Sequence, residues 1–300
     1  MLIISHSQDA DGILSAALAV RKAKIEKEGY NIILIDYPEY DILIGKIKES
    51  KEGRIMILDI GPSHERINEI VEALKNSKSF ITWIDHHTWK ENEKKEVSKY
   101  CNLIVGKNST AFIFSRIFFN DAFSRRLASI AEDTDFFRNK LKISIPLAQL
   151  ITYLNATSKE KLKELVEKFS EEKISLEEIE KALEKGKEEI EKARERMKKS
   201  LRVYEKNKKR IGIVEMENLL NSSIEGNNLM KEKKLDLCIM VFKDEKGYRI
   251  SIRGEKALEL ATILGGGGHK NAAGAFLRKN DVFKVLERNI SLIFENSKYL

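Results

Sequence analysis

Cysteine is almost missing from these 300 residues: only Cys101 and Cys238 occur. Two thiols cannot build the framework of a small disulfide-stapled domain, and no thiolate cluster is there to hold a structural zinc. Both stand in apolar surroundings and read as small buried residues. Glutamine is scarce too, against abundant Lys, Glu and Ile, a composition that leans towards a thermophile. No apolar run approaches the roughly 20 residues of a membrane-spanning helix. The opening Met1-Leu2-Ile3-Ile4-Ser5-His6 lacks the basic and apolar regions of a secretory leader. These absences argue against a disulfide-rich secreted domain and a membrane protein, and set the expectation of a cytoplasmic one.

What is present is a large apolar fraction, 42%, beside a high charged fraction, 34%. The length predicts two domains rather than one. The net charge of +7 favours an anionic partner through non-specific attraction. From Arg194 to Arg210 nine basic residues face two acids, 9 − 2 = +7, as large an excess as that of the whole chain. The run reads either as a solvated helix end complementing its dipole or as a contact for nucleic acid.

The first half alternates apolar runs with amphipathic ones. Leu2–Ser5, Asn31–Asp36, Arg54–Asp59 and Ser79–Ile84 read as buried strands. Segments 12–28, 40–50 and 64–76 read as helices between them, followed by helices over 109–119, 122–131 and 143–155. Strands separated by helices imply an α/β fold with a doubly wound parallel sheet. Thr157 with Glu160 and Ser175 with Glu178 fit capping boxes. Leu176, Ile179, Leu183, Gly186, Ile190, Ala193, Met197, Leu201 and Tyr204 then share a narrow stripe, the mark of a connector helix packed on its own domain or of a homodimer seam. Strands return at 210–216, 235–242, 248–253 and 275–277, with helices at 256–264 and 281–295. The expected division is a catalytic domain over 1–156, a charged helical linker over 157–209, and a smaller mixed-sheet α/β domain over 210–300.

Most strands of the first half end in ionisable residues. The first runs into His6, Asp9 and Asp11, the third ends at Asp59, and the fourth ends at Asp85, His86 and His87. A later segment holds Glu132, Asp133 and Asp135. The carboxyl ends of parallel strands line one crevice, so groups distant in sequence should meet there. A lone Asp after a strand is usually a cap. Against that bland reading, three of the five histidines fall inside these clusters, and His64 alone looks incidental. Several carboxylates in one crevice repel each other unless cations bind. An Asp and His donor set without Cys suits Mn²⁺, Mg²⁺ or a similar ion such as Co²⁺. There are ligands enough for two ions sharing one carboxylate, about 3.5–4 Å apart. The run Gly265-Gly266-Gly267-Gly268-His269 reads as a flexible loop or as backbone that approaches an anion closely. His269 and Arg253 would add hydrogen bonds to a phosphate.

At His6-Ser7-Gln8-Asp9-Ala10-Asp11-Gly12, Leu58-Asp59, Asp85-His86-His87, Asp133-Thr134 and the glycine run to Gly274, the chain resembles the DHH-family phosphoesterases that carry the DHH-associated C-terminal domain. These five motifs occur in family order across almost the whole chain. The resemblance implies one metal on His6, Asp9 and Asp59, and a second on Asp11, Asp59, His86 and Asp133, with Asp59 bridging. It implies Asp85 beside the site, His87 at the scissile phosphate, and Arg253, Gly267, Gly268 and His269 on the substrate's other end. The segment 134–138 resembles the family's fourth motif, with Asp135 where related enzymes have Gly.

The activity so implied is a Mn²⁺-dependent 3′–5′ exonuclease or oligoribonuclease on short or single-stranded RNA or DNA, releasing nucleoside 5′-monophosphates. The alternatives are a hydrolase of small nucleotides (phosphoadenosine phosphate or dinucleotides) and a non-catalytic scaffold with a replication or repair partner.

Overall fold

Alternation of large aliphatic residues builds the first sheet and covers both its faces. The computed structural model describes residues 1–36, 39–173, 175–245, 247–278 and 282–295, without the side chains of His269, Leu292, Ile293 and Glu295. Its strands are β1 (Leu2–His6), β2 (Asn31–Ile35), β3 (Arg54–Leu58), β4 (Phe80–Asp85) and β5 (Asn102–Val105). All neighbours are parallel, in the order β2-β1-β3-β4-β5. Four helices link them: α1 (Ala10–Glu26), α2 (Tyr40–Glu49), α3 (Ile67–Asn76) and α4 (Glu91–Val97). Then follow α5 (Thr110–Phe118), α6 (Ala122–Asp135), α7 (Ser144–Thr157), α8 (Lys159–Ser170) and α9 (Leu176–Glu184).

The pleat sends alternate residues to opposite layers. Ile3, Leu34, Met56 and Ile84 pack with α1 and with Phe114, Leu127, Leu150 and Val166 of the later helices. Leu2, Ile4, Ile55, Ile57 and Trp83 pack with Leu43, Ile47, Ile70 and Leu74 on the other side. The sheet is therefore doubly wound, as expected. α1 is apolar round much of its circumference, and Ile13, Leu14, Leu18 and Val20 are fully buried, as a helix enclosed by other elements must be. Among the described residues, no helix is long and apolar enough to cross a membrane.

The chain divides into two units, Met1–Leu183 and Glu184–Leu300. The second contains α10 (Lys187–Ser200), β6 (Arg202–Lys206), β7 (Lys209–Met216), α11 (Ser222–Lys233), β8 (Leu237–Lys243), β9 (Gly247–Gly254), α12 (Ala257–Ile263), β10 (Gly267–His269), β11 (Ala272–Arg278) and α13 (Val282–Glu295). Its mixed sheet runs β10-β11-β9-β8-β7-β6, and only β7 and β8 are parallel. Ile211, Ile213, Leu237, Ile239, Ile250 and Ile252 share a core with Leu260, Leu286 and Ile290 of α12 and α13.

Four expectations change. The residues expected as a linker, 157–209, do not form a separate body: α8 and α9 belong to the first unit, α10 and β6 to the second. The long helix expected there is broken, with Gly186 capping α10. Its stripe is already covered, since Ile179 joins the first core and Ile190, Ala193 and Met197 are buried. Ser158, not Thr157, caps α8, whereas Ser175 and Glu178 do form their reciprocal box. Cys238 is buried, but Cys101 is partly exposed. Burial pushes both thiols up to about 12. The expected start of the last helix, Asp281, lies outside the described residues.

Candidate metal centre

The strand order reverses between β1 and β3, the place where an open α/β sheet leaves a crevice at its carboxyl edge. Each strand that opens there delivers donors. β1 ends at His6, and the next residues turn at once into α1. Asp9 caps that helix, accepting from the Gly12 N–H at 3.0 Å. Gly12 is a steric requirement: a Cβ there would lie 2.3 Å from the His6 carbonyl oxygen. Asp11 is fully buried and accepts from the Thr110 and Ala111 N–H groups at 2.6 and 2.8 Å. It thus sits on the positive end of α5.

Asp59 follows β3 with φ of +56°. A side chain in the left-handed region is strained by roughly 1–2 kcal/mol, least for Asn and Asp, and such strain concentrates at functional sites. The turn aims the carboxylate into the crevice while its N–H still donates to Ile84 O at 3.0 Å. Asp85 closes β4. Its buried carboxylate accepts from His87 Nδ1 at 2.7 Å, His87 N at 3.2 Å and Trp89 Nε1 at 2.6 Å. Asp85 therefore orients His87 and fixes its Nδ1.

These side chains converge. His6 Nδ1 is 3.1 Å from Asp9 Oδ2 and 3.7 Å from Asp59 Oδ2. His86 Nε2 is 3.3 Å from Asp59 Oδ1 and 3.7 Å from Asp11 Oδ2, and its Nδ1 is 3.6 Å from Asp135 Oδ2. Two donor groups result, each with ligand atoms within 4.8 Å of one another: His6, Asp9 and Asp59, and Asp59, His86 and His87. Asp59 belongs to both. Its Oδ1 accepts from Thr110 Oγ1 at 3.2 Å, but the buried Oδ2 has no hydrogen-bond partner among the described residues. A buried carboxylate oxygen left so is unfavourable, and a cation would satisfy it.

The electrostatics agree. Burial, then the charges of Asp59 and Asp135, push Asp11 well above the carboxylate range. Burial raises Asp135 to about 7 against the opposing pull of His86, with Asp59 and Asp9 adding to the rise. Burial disfavours the charged form of His86, yet Asp59, Asp135 and Asp11 lift it to about 11. His6 is likewise desolvated but raised by Asp9 and Asp59. Burial works to raise Asp59, and the imidazoles of His6 and His86 outweigh it and hold the carboxyl low. The crowded carboxylates thus raise Asp11 and Asp135 and draw protons onto the imidazoles. The donor set fits hard or borderline divalent ions.

Not every expected residue reaches this place. Asp133, expected as a ligand, is turned away. Its oxygens accept from Lys140 N and Leu141 N at 3.0 Å and from Ser144 Oγ at 2.6 Å, tying down the following loop. Asp135, two residues on, is the carboxylate brought to His86. The glycine run is mostly the short edge strand β10. A Cβ at Gly266 or Gly268 would lie 2.0 Å from Gly274 O or 2.6 Å from Ala273 Cα, so pairing with β11 is enough to demand both. The His269 side chain lies outside the described residues. Arg253 donates to Ser251 Oγ, Ile252 O and Ser223 Oγ, each at 3.0 Å. It makes no ion pair among the described residues, and burial lowers its pKa. The basic stretch is partly occupied: Arg194 binds Glu225, Arg196 binds Glu217, Arg210 binds Glu205, Lys209 binds Asp236 and Glu255, and Arg202 covers the Phe283 ring. His64 pairs with Glu93.

Comparison with known proteins bears on this geometry. Residues 1–153 match the family described as "DHH family, N-terminal domain". No curated protein matches the chain. Among solved structures, RecJ from Thermus thermophilus in complex with Mn²⁺ is similar at 13% identity and TM-score 0.64, over 98% of this chain and 52% of its own. An exonuclease RecJ bound to manganese matches at 14% and 0.57, over 98% and 90%. An exopolyphosphatase-related protein from Bacteroides fragilis matches at 16% and 0.57, over 99% and 92%. At such identities these likenesses concern the fold.

Proposed function

This chain belongs to the DHH family of metal-dependent phosphoesterases, and from that premise we propose that it is a Mn²⁺-dependent phosphodiesterase of short or single-stranded nucleic acid. The observation that carries the reading is the sharing of Asp59 between two donor groups. His6, Asp9 and Asp59 would hold one ion. Asp59 and His86 through its Nε2, with Asp11 beside them, would hold the other, and Asp135, facing His86 Nδ1, would orient that ring. Bound there, the two ions supply Lewis acidity to phosphoryl oxygens and lower the pKa of water. His87 has its Nδ1 fixed by Asp85, and that carboxylate raises its pKa against the effect of burial. As a cation it is suited to hold a non-bridging phosphate oxygen. In the second unit, Arg253, a cation with neutral partners, is suited to an anion. The 3′–5′ polarity and the 5′-monophosphate product follow the resemblance.

Incubating 5′- and 3′-labelled pentanucleotides with Mn²⁺ tests this. Stepwise loss of 5′-monophosphates from the 3′ end is expected. Release from the 5′ end reverses the polarity, and no cleavage of any oligonucleotide removes the reading. A second reading, hydrolysis of small nucleotides, gains from the basic stretch, where Arg194, Arg196, Lys209 and Arg210 are already ion-paired within the chain. Turnover confined to mono- and dinucleotides in the same assay would select it.

A further inference from the structure

The loop after α6 is held far more firmly than a connection needs, and what it holds is an apolar ring in water. Phe137 and Asn139 both take left-handed conformations, φ +48° and +50°. Between them Arg138 reaches back to Glu132 Oε2 at 3.0 Å, and its guanidinium carbon lies 5.2 Å from the Phe136 ring centroid. Glu132 also accepts from Ser109 N at 2.7 Å, and Asp133 accepts the three hydrogen bonds given above. Two buried carboxylates, one arginine and two strained residues thus fix this turn. The outcome is Phe136 at 40% exposure, with Leu141 and Ile145 exposed nearby in sequence.

The Phe136 ring centroid is 6.3 Å from that of His86, at 73° to it. An exposed aromatic fixed beside a cluster of carboxylates and imidazoles offers an apolar surface to a ligand held at that cluster. A ligand that reaches both must join an anionic group to a flat apolar one. A nucleotide does so; an inorganic polyphosphate has nothing to set on the ring. Arg138 and His86 both lie against the ring, and 40% of Phe136 stays exposed. We infer that Phe136 is a stacking platform for the nucleobase next to the phosphate taken by the donor cluster. The inference rests on the phosphodiesterase reading and names which part of the substrate that site selects. Stacking on an aromatic side chain tolerates any base, so the device gives preference for nucleotides without sequence preference.

The test uses the full-length protein and pentanucleotides carrying 2-aminopurine at either end, with matched oligonucleotides abasic at that position. For the wild type, binding should quench the fluorescence of one labelled end. Phe136→Ala should abolish that quenching and Phe136→Trp restore it. With Mn²⁺, Phe136→Ala should raise KM about five- to hundredfold for the base-bearing substrate and leave the abasic one unchanged. Mn²⁺ affinity by calorimetry should not move. Unchanged quenching in Phe136→Ala, or an equal loss on both substrates with weakened Mn²⁺ binding, overturns the inference and makes the ring a packing partner of His86. Quenching that depends on Phe136 without any cleavage would keep the platform and remove the phosphodiesterase reading instead.

Discussion

At Asp59 one residue meets three demands: a left-handed backbone, a place in both donor groups, and a buried oxygen without a hydrogen-bond partner among the described residues. These separate by substitution. Asp59→Asn keeps a side chain that tolerates the left-handed region but removes the charge. It should lose bound Mn²⁺ and reduce hydrolysis by more than the roughly hundredfold typical of losing an outer partner, and it should lower the metal-free melting temperature at neutral pH, because the His6 and His86 imidazoles that hold the Asp59 carboxyl low lose their partner. Asp59→Ala should lose the same activity and about 1 kcal/mol more of stability through the left-handed backbone. Equal metal stoichiometry in Asp59→Asn, by calorimetry, would refute the shared role. Asp133 and Asp135 give a second contrast. Asp135→Asn should weaken Mn²⁺ binding with little change in melting. Asp133→Asn should cost roughly 1.5–3 kcal/mol by losing a charge-assisted hydrogen bond, with Mn²⁺ affinity preserved; the reverse pattern would return Asp133 to the metal. The sequence makes His6, Asp9, Asp11, Asp59 and His86 legible because each follows a strand end or opens the helix after one. It does not distinguish Asp133 from Asp135, because α6 is still helical there and a helix turns residues two apart to different sides, so that Asp135 faces His86 while Asp133 meets Lys140, Leu141 and Ser144.

At the scale of elements, legibility follows burial. β1 to β4, β7 and β8 are read easily because their apolar runs are largely covered on both faces, and β9 because Tyr248, Ile250 and Ile252 alternate with polar residues. β5, β6 and β10 escape such a reading: each is short or half-exposed, and lies at or beside a sheet edge. In β6, Arg202-Val203-Tyr204-Glu205-Lys206 resembles the tail of the preceding helix, since Tyr204 continues its stripe. The basic run hides a packing role as well. Glu225 of α11 is buried and is met by Arg194 of α10 through Nη2 at 2.7 Å and Nε at 3.0 Å. Removing one partner of a buried pair leaves the other charge uncompensated. Arg194→Met should therefore destabilise the second unit by about 3 kcal/mol, and adding Glu225→Leu should restore most of that. Urea unfolding followed by circular dichroism reads both; a neutral single variant would mean that the pair is solvated.

For the whole molecule, two units with separate cores, Met1–Leu183 and Glu184–Leu300, imply two sets of stabilities. Every donor of the candidate metal centre comes from the first, between His6 and Asp135. A ligand that binds only the folded form raises stability by mass action, by about 2.7 kcal/mol at a hundredfold excess over its dissociation constant. Mn²⁺ should thus raise the melting of the first unit and leave the second where it was, whereas EDTA should reverse the shift. In differential scanning calorimetry this separates the transitions if they overlap without metal. Asp59→Asn should abolish the Mn²⁺-dependent shift, and Arg194→Met should move only the metal-insensitive transition. A single transition that shifts as one under both changes would mean that the units unfold cooperatively, and that metal bound by one stabilises the other.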